Sequence, residues 1–286
     1  VHKINRRNLM LMTGAAALGA AVTSPSASAE PLPPGQPENP SAPAPNANPA
    51  PVDYIFADDF DGPAGAAPDL SRWTVVGWNE PVTPPILGLF RDDRRNVCLD
   101  GNGNLALRAT REGDTYFSGR VESRMKIGIG HTWEARIKLN CLVPGCWPAY
   151  WLVNREPTPD GRGPLPDGEV DILEWYGNGK WAPGTAVHAR SDGRTWKENR
   201  WPVDGDWHTY RVRWDDAGFR FWRDDVNGAP FFTVPAAPIN GVWPFNAPDY
   251  LLFTIFNLAV GGPGGGDPQF GPFETPEMLV DYVRVW

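Results

Sequence analysis

In the segment WEARIKL, Trp133, Ala135, Ile137 and Leu139 fall on one side of an extended chain, and Glu134, Arg136 and Lys138 fall on the other. A period of two fits a half-buried strand and no helix. The same alternation returns in NLALRAT from Asn104, in HTYRVRW from His208 and in LVDYVRVW from Leu279, while LLFTIFNLA (251–259) is apolar almost throughout, as a strand covered on both faces would be. Clusters such as DGPAGAAPD, PTPDGRGPLPDG and GGPGGGDP separate these runs, and no segment keeps a helical period long enough to compete. The pattern predicts an all-β chain: two antiparallel sheets packed as a sandwich. There is no repeat of fixed length, which speaks against a propeller or solenoid. GGPGGGDP lacks the Lys-Ser/Thr of a phosphate loop and opens no helix, so it reads as a plain loop.

The first residues follow a different logic. Arg6 and Arg7 precede an apolar run from Leu9 to Val22 and then Ala27-Ser28-Ala29, the order of a twin-arginine export signal with a small-residue cleavage site. The run falls short of the roughly 20 residues a membrane span needs, so residues 1–29 are expected to be removed and to leave no membrane span. Residues 30–52, mostly Pro, Ala, Asn and Ser, bury too little apolar surface to offset the entropy of ordering and read as a spacer. Residues 53–286 are then one β domain, expected to be a monomer. The chain carries a net charge of −8, and losing the basic leader makes it more acidic. Nucleic acid is thereby an unsuitable partner, and neutral glycans suit the surface better than polyanions. Of three cysteines, Cys141 and Cys146 either close a small disulfide across LVPG or remain buried thiols.

The chemistry is concentrated in GEVDILEWYG (168–177). Alternation puts Glu169 and Asp171 on one face and would send Glu174 to the other. One extra residue, a bulge at Ile172 and Leu173, returns Glu174 to the side of the first two. Three like charges along a strand repel one another and resist simultaneous ionisation, a cost that a structural strand has no use for. Cleaving a glycosidic bond with retention needs such a set: one carboxylate to attack the anomeric carbon and one carboxylic acid to protonate the leaving oxygen. The expected roles are Glu169 as nucleophile, Glu174 as acid and then base, and Asp171 between them to orient the nucleophile and share its proton. A solvated acidic edge strand is the plainer alternative. The aromatic context argues against it: in WPAYW (147–151) Trp147 and Trp151 share one face, suited to stacking on sugar rings, and fourteen tryptophans exceed what a core easily absorbs. His188 in TAVHA is placed to reach a sugar hydroxyl and His208 to serve structure. Four histidines without ligand spacing speak against zinc, and catalysis is expected to need no cofactor.

EVDILE resembles the ExDxxE signature of family-16 glycoside hydrolases, in the bulged form of the laminarinase-like branch. DDFDGP (58–63), VCLDGNGNLALRAT (97–110), SGRVES (118–123), TWEARIKL (132–139), WPAYWL (147–152), DWHTYRVRWD (206–215), FNLAVGG (256–262) and MLVDYVRVW (278–286) follow in the family's order. The resemblance implies a concanavalin-like β-jelly-roll with a concave groove, and retaining endo-action on a β-1,3-glucan. It matches Glu169, Asp171 and Glu174 to the catalytic positions, and Trp147, Trp151, His188 and Asn257 to sugar subsites. It also implies a structural calcium held by the backbones of Asp59 and Gly101 and the carboxylate of Asp281, oxygen donors suited to a hard cation. Two stretches depart from the family, EPVTPPILGLFRDDRRN (80–96) and the long REPTPDGRGPLPDG before the acidic strand. Because such loops shape a groove, another β-glycan such as a galactan, glycosyl transfer, and a silent sugar-binding jelly-roll stand as alternatives.

Overall fold

A computed structural model of the chain describes residues 52–77, 87–154, 168–190, 194–198, 202–237, 243–247 and 250–286. The leader, most of the spacer, the segment 155–167 and part of 80–96 lie outside the described residues. The runs that alternate in sequence are strands: Thr132–Asn140, Cys146–Val153, Glu169–Glu174, Trp207–Asp215, Phe253–Val260 and Glu277–Val285. The helical structure among the described residues comprises a single turn at Gly262–Gly265 and a 3-10 turn at Pro244–Asn246, so no described helix is long and apolar enough to cross a membrane.

Two large sheets make an antiparallel jelly-roll sandwich. One runs, in spatial order, Phe232–Pro235, Gly218–Arg223, Trp207–Asp215, Thr132–Asn140, Glu277–Val285, Leu105–Arg108 and Val97–Leu99, with Phe56–Asp58 also pairing the last strand of the chain. The other runs Arg194–Glu198, Gly184–Arg190, Glu169–Glu174, Cys146–Val153, Phe253–Val260, Arg120–Ser123 and Trp73–Val75. A small third sheet holds the one parallel pair among the described strands, Gly88–Phe90 beside Thr115–Ser118.

Alternation explains the core. From Cys146–Val153, Tyr150 and Leu152 point inward to join Val170, Ile172, Leu173, Val187, Phe256 and Leu258, and they meet Trp133, Ala135, Ile137, Tyr210, Val212 and Trp214 of the facing sheet. Trp133 and Trp214 stack at 6.1 Å, and Tyr150 stacks on Phe256 at 4.7 Å. Removing each such ring from water contributes on the order of 2–3 kcal/mol. The tryptophans divide as the count suggested: Trp73, Trp133 and Trp214 are fully buried, whereas Trp147, Trp151 and Trp181 keep exposed surface on the face that carries the acids or beside it. FTIFNLAV is buried at all eight positions, as its continuous apolar run predicts.

All three cysteines are free and buried. Of the two readings left open by the sequence, the structure takes buried thiols, and burial pushes the Cys146 thiol up to about 12, which keeps it unreactive.

Candidate active site

The acidic strand carries the bulge expected from its sequence. On one side Trp151 pairs with Asp171 and Tyr150 with Leu173, so Ile172 is an extra residue opposite its neighbour. On the other side the register slips by one between Asp171 and Glu174. Ile172 and Leu173 are both packed into the core, at 2% and 0% exposure, and the strand resumes with Glu174 on the side of Glu169 and Asp171. Two consecutive core side chains are what a bulge permits and strict alternation forbids.

Neighbouring strands complete the face. His188 lies opposite Glu169 in the register, and its Nε2 is 2.9 Å from Asp171 Oδ2. Burial works against a charge on His188, yet the bond to Asp171 and the charges of Asp171, Glu169 and Glu174 raise it to about 9, so the imidazole is a cation at neutral pH. Glu169, Asp171 and His188 also bring their oxygens and a nitrogen within 4.8 Å of one another. The hydrogen bond between His188 and Asp171 and the charge of Glu169 tie the three into one network.

The two glutamates have different surroundings. Burial raises both above the usual carboxylate range, and the adjacent Asp171 charge raises them further. Around Glu169 the opposing groups are cations, His188 and the guanidinium of Arg120, which favour the ionised form. Around Glu174 the first opposing groups are neutral donors: Tyr176 Oη donates to Oε2 at 2.5 Å and Trp147 Nε1 donates to Oε1 at 2.9 Å.

Trp147, Ala149 and Trp151 alternate with the core residues Tyr150 and Leu152, which puts the two indoles on the acid-bearing face. Trp151 Nε1 donates to Asn257 Oδ1 at 2.7 Å, and the Arg120 guanidinium lies 5.2 Å from the Trp151 ring. Asn257 therefore anchors an aromatic platform. Trp147 is held from behind by the Gly262–Gly265 turn, where a Cβ on Gly264 would sit 2.4 Å from the indole. The loop that sequence separated from any phosphate role is thus a backstop for Trp147.

Structure brings together Glu169, Asp171, Glu174, Trp147, Trp151, His188 and Asn257. Asp59, Gly101 and Asp281 belong elsewhere. Asp281 Oδ2 pairs with Arg136 Nη1 at 2.6 Å, and Asp59 Oδ1 accepts from Arg284 at 2.9 Å. A carboxylate already paired with a guanidinium is ill suited to be the anionic ligand of a calcium, so Asp281 does not fit the role expected of it. The Arg284 pair engages the Asp59 side chain and leaves the backbone oxygens expected of Asp59 and Gly101 unaffected. His208 bridges Asp204 and Asp224 at 2.8 Å each, a structural clamp as expected. Sequence reasoning missed Arg120 and Tyr176. Alternation could have found Arg120, which as the neighbour of the core residue Val121 faces the other way, whereas Tyr176 lies past the end of the acidic strand and carries no periodic signal. A recess of about 750 Å³ around Tyr54–Asp59 and Arg72 is lined by none of these residues. Three of its acids are engaged, Asp58 with Trp73 Nε1, Asp59 with Arg284 and Asp69 with Ser71.

Residues 91–260 match the model of glycosyl hydrolases family 16. The chain belongs to this family. A solved structure from Mycobacterium tuberculosis, described as an immunostimulatory antigen and pseudo β-1,3-glucanase, is 51% identical with a TM-score of 0.73 over 82% of this chain and 98% of that one. A β-1,3-glucanase structure from Mycobacterium marinum is 48% identical, with a TM-score of 0.72 over the same shares. The β-glucanase of Rhodothermus marinus is 29% identical over 256 residues, 82% of this chain and 85% of that protein. Membership makes the chain a glycoside hydrolase. Within the family-16 frame, the acidic strand is the third of seven in its sheet, flanked on both sides by strands that supply aromatic and polar groups.

Proposed function

We propose that the protein is a retaining endo-β-1,3-glucanase acting outside the cytoplasm after twin-arginine export. The observation that carries the reading is the bulge, which sets Glu169 and Glu174 on one face with Asp171 between them, one glutamate beside cations and the other beside neutral donors. Glu169, in the ionised form that His188 and Arg120 favour against the effect of burial, attacks the anomeric carbon. The bond from that carbon to the leaving oxygen breaks with its electron pair, and Glu174 gives its proton to that oxygen. Glu174, now a carboxylate, takes a proton from water, and the water oxygen attacks the same carbon and releases Glu169. Asp171, fixed by the protonated His188, holds the nucleophile in line and moderates its charge. Trp147 and Trp151 offer flat faces to the sugar rings. The β-1,3-glucan assignment draws on the name of the M. marinum relative, a β-1,3-glucanase, while the R. marinus relative supports a β-glucan more generally.

A panel of purified glycans tests the reading: laminarin should shorten internally with retention at the new reducing end. The M. tuberculosis relative, described as a pseudo β-1,3-glucanase, favours a second reading in which β-1,3-glucan is not the polymer cleaved. Laminarin left whole while a galactan or mixed-linkage glucan shortens would select it. Glu169→Gln should remove turnover by orders of magnitude while glycan affinity persists. Sugar binding with no cleavage of any polymer by the unaltered protein would refute catalysis.

A further inference from the structure

Beside Glu174 lies a recess of about 300 Å³, at the small end of ligand pockets, walled by Tyr176, Lys180, Trp181, Thr185 and Lys197. Trp181 is 50% exposed, unusual for so large an apolar side chain. It is nonetheless held in place. Its backbone N–H donates to Asn178 Oδ1 at 3.0 Å, and Asn178 is itself bound to the Gly262–Gly265 turn through Gly264 O at 3.0 Å and Pro263 O at 2.7 Å. The indole meets the Tyr176 ring edge-on at 5.2 Å and 84°. A fixed, half-exposed indole beside the acid presents a surface already ordered before any ligand arrives, so little conformational entropy is lost on contact.

Tyr176 joins this surface to the proton. Both oxygens of Glu174 accept hydrogen bonds, one from Trp147 and one from Tyr176. An indole N–H only donates, whereas a phenol both donates and accepts. Of the two, only Tyr176 can therefore reverse its bond and accept a hydrogen bond from Glu174 when that acid is protonated. The charged groups around Glu174 are Asp171 and Glu169 on its own strand, His188 on the next strand, and Lys180 and Lys197 on the recess wall.

We infer that this recess is the leaving-group subsite, with Trp181 as the stacking platform for a β-gluco-configured pyranose and Tyr176 as the residue that positions Glu174. The inference rests on Glu174 being the acid, because the group that protonates the leaving oxygen must lie against the departing sugar. A β-gluco ring carries its hydroxyls equatorially and so shows a flat C–H face to an indole. A galacto ring breaks one face with an axial hydroxyl.

Two variants of the full chain separate the parts. Tyr176→Phe keeps the ring against Trp181 and removes only the hydroxyl. Losing a donor to a carboxylate favours the protonated acid, so the alkaline limb of the kcat/KM profile should move up by about one to two pH units. Trp181→Ala should raise KM for laminari-oligosaccharides about three- to tenfold and leave both limbs in place. An unmoved limb in Tyr176→Phe, or an unchanged KM in Trp181→Ala, overturns the corresponding part. Laminaribiose titrated against tryptophan fluorescence, and carbon NMR titration of the Glu174 carboxyl, give the same two answers without turnover. If no glycan is cleaved, the catalytic reading fails on its own, and these two measurements still decide whether Trp181 binds sugar and Tyr176 sets the proton on Glu174.

Discussion

Replacing Ile172 or Leu173 by alanine tests the local geometry on which the site depends. Both side chains are in the core, at 2% and 0% exposure, because Ile172 is the extra residue opposite Tyr150 and Trp151. Truncation of a buried Ile or Leu leaves a hole that its neighbours only partly fill, at a cost of about 2–4 kcal/mol. In a domain of this size each variant should lose about 5–15 °C in Tm. Urea unfolding followed by tryptophan fluorescence gives the free energy directly, since fully buried Trp73, Trp133 and Trp214 report loss of the core. Neither side chain belongs to the acid-bearing face, so activity well below Tm should change little. Strict alternation forecasts another outcome, with one of the pair facing out and costing under about 0.5 kcal/mol. A result of that kind would mean that no bulge exists, that Glu174 faces away from Glu169, and that the three acids do not form one site.

Glu169→Gln should stabilise the fold while it stops turnover. Burial and Asp171 raise the folded-state Glu169 above its unfolded value, so folding favours the protonated form; that stability is fully present at low pH and lost as pH rises through the raised value. The variant should therefore exceed the parent in Tm at pH 8 by a margin that shrinks at pH 4, and an equal margin at both would contradict the assignment. His188→Ala removes a cation that favours ionised Glu169, so the acidic limb of the activity profile should move to higher pH; an unmoved limb would detach His188 from the nucleophile. Gly264→Ala drives a Cβ to within 2.4 Å of the Trp147 indole and should swing its N–H off Glu174. Loss of activity with altered Trp147 fluorescence is expected, and full activity would show that the turn yields without moving the indole.

Much of this protein was decided by its sequence, because strand faces follow from local spacing. WEARIKL, HTYRVRW and LVDYVRVW sort their own residues into core and surface, and EVDILE contains both its three acids and the two adjacent apolar residues that require a bulge. Tertiary structure decided the rest, since those contacts join residues distant in the chain. Trp151 reaches Asn257 across 106 positions, and Asp281, a plausible calcium ligand in isolation, is neutralised by Arg136 across 145. Tyr176 and Trp181 are ordinary loop residues until the turn at Gly262–Gly265 fixes Asn178 and, through it, the recess beside Glu174. Periodicity determines which way a side chain points. Which partner it meets there, and so how its proton is held, depends on the whole chain having folded.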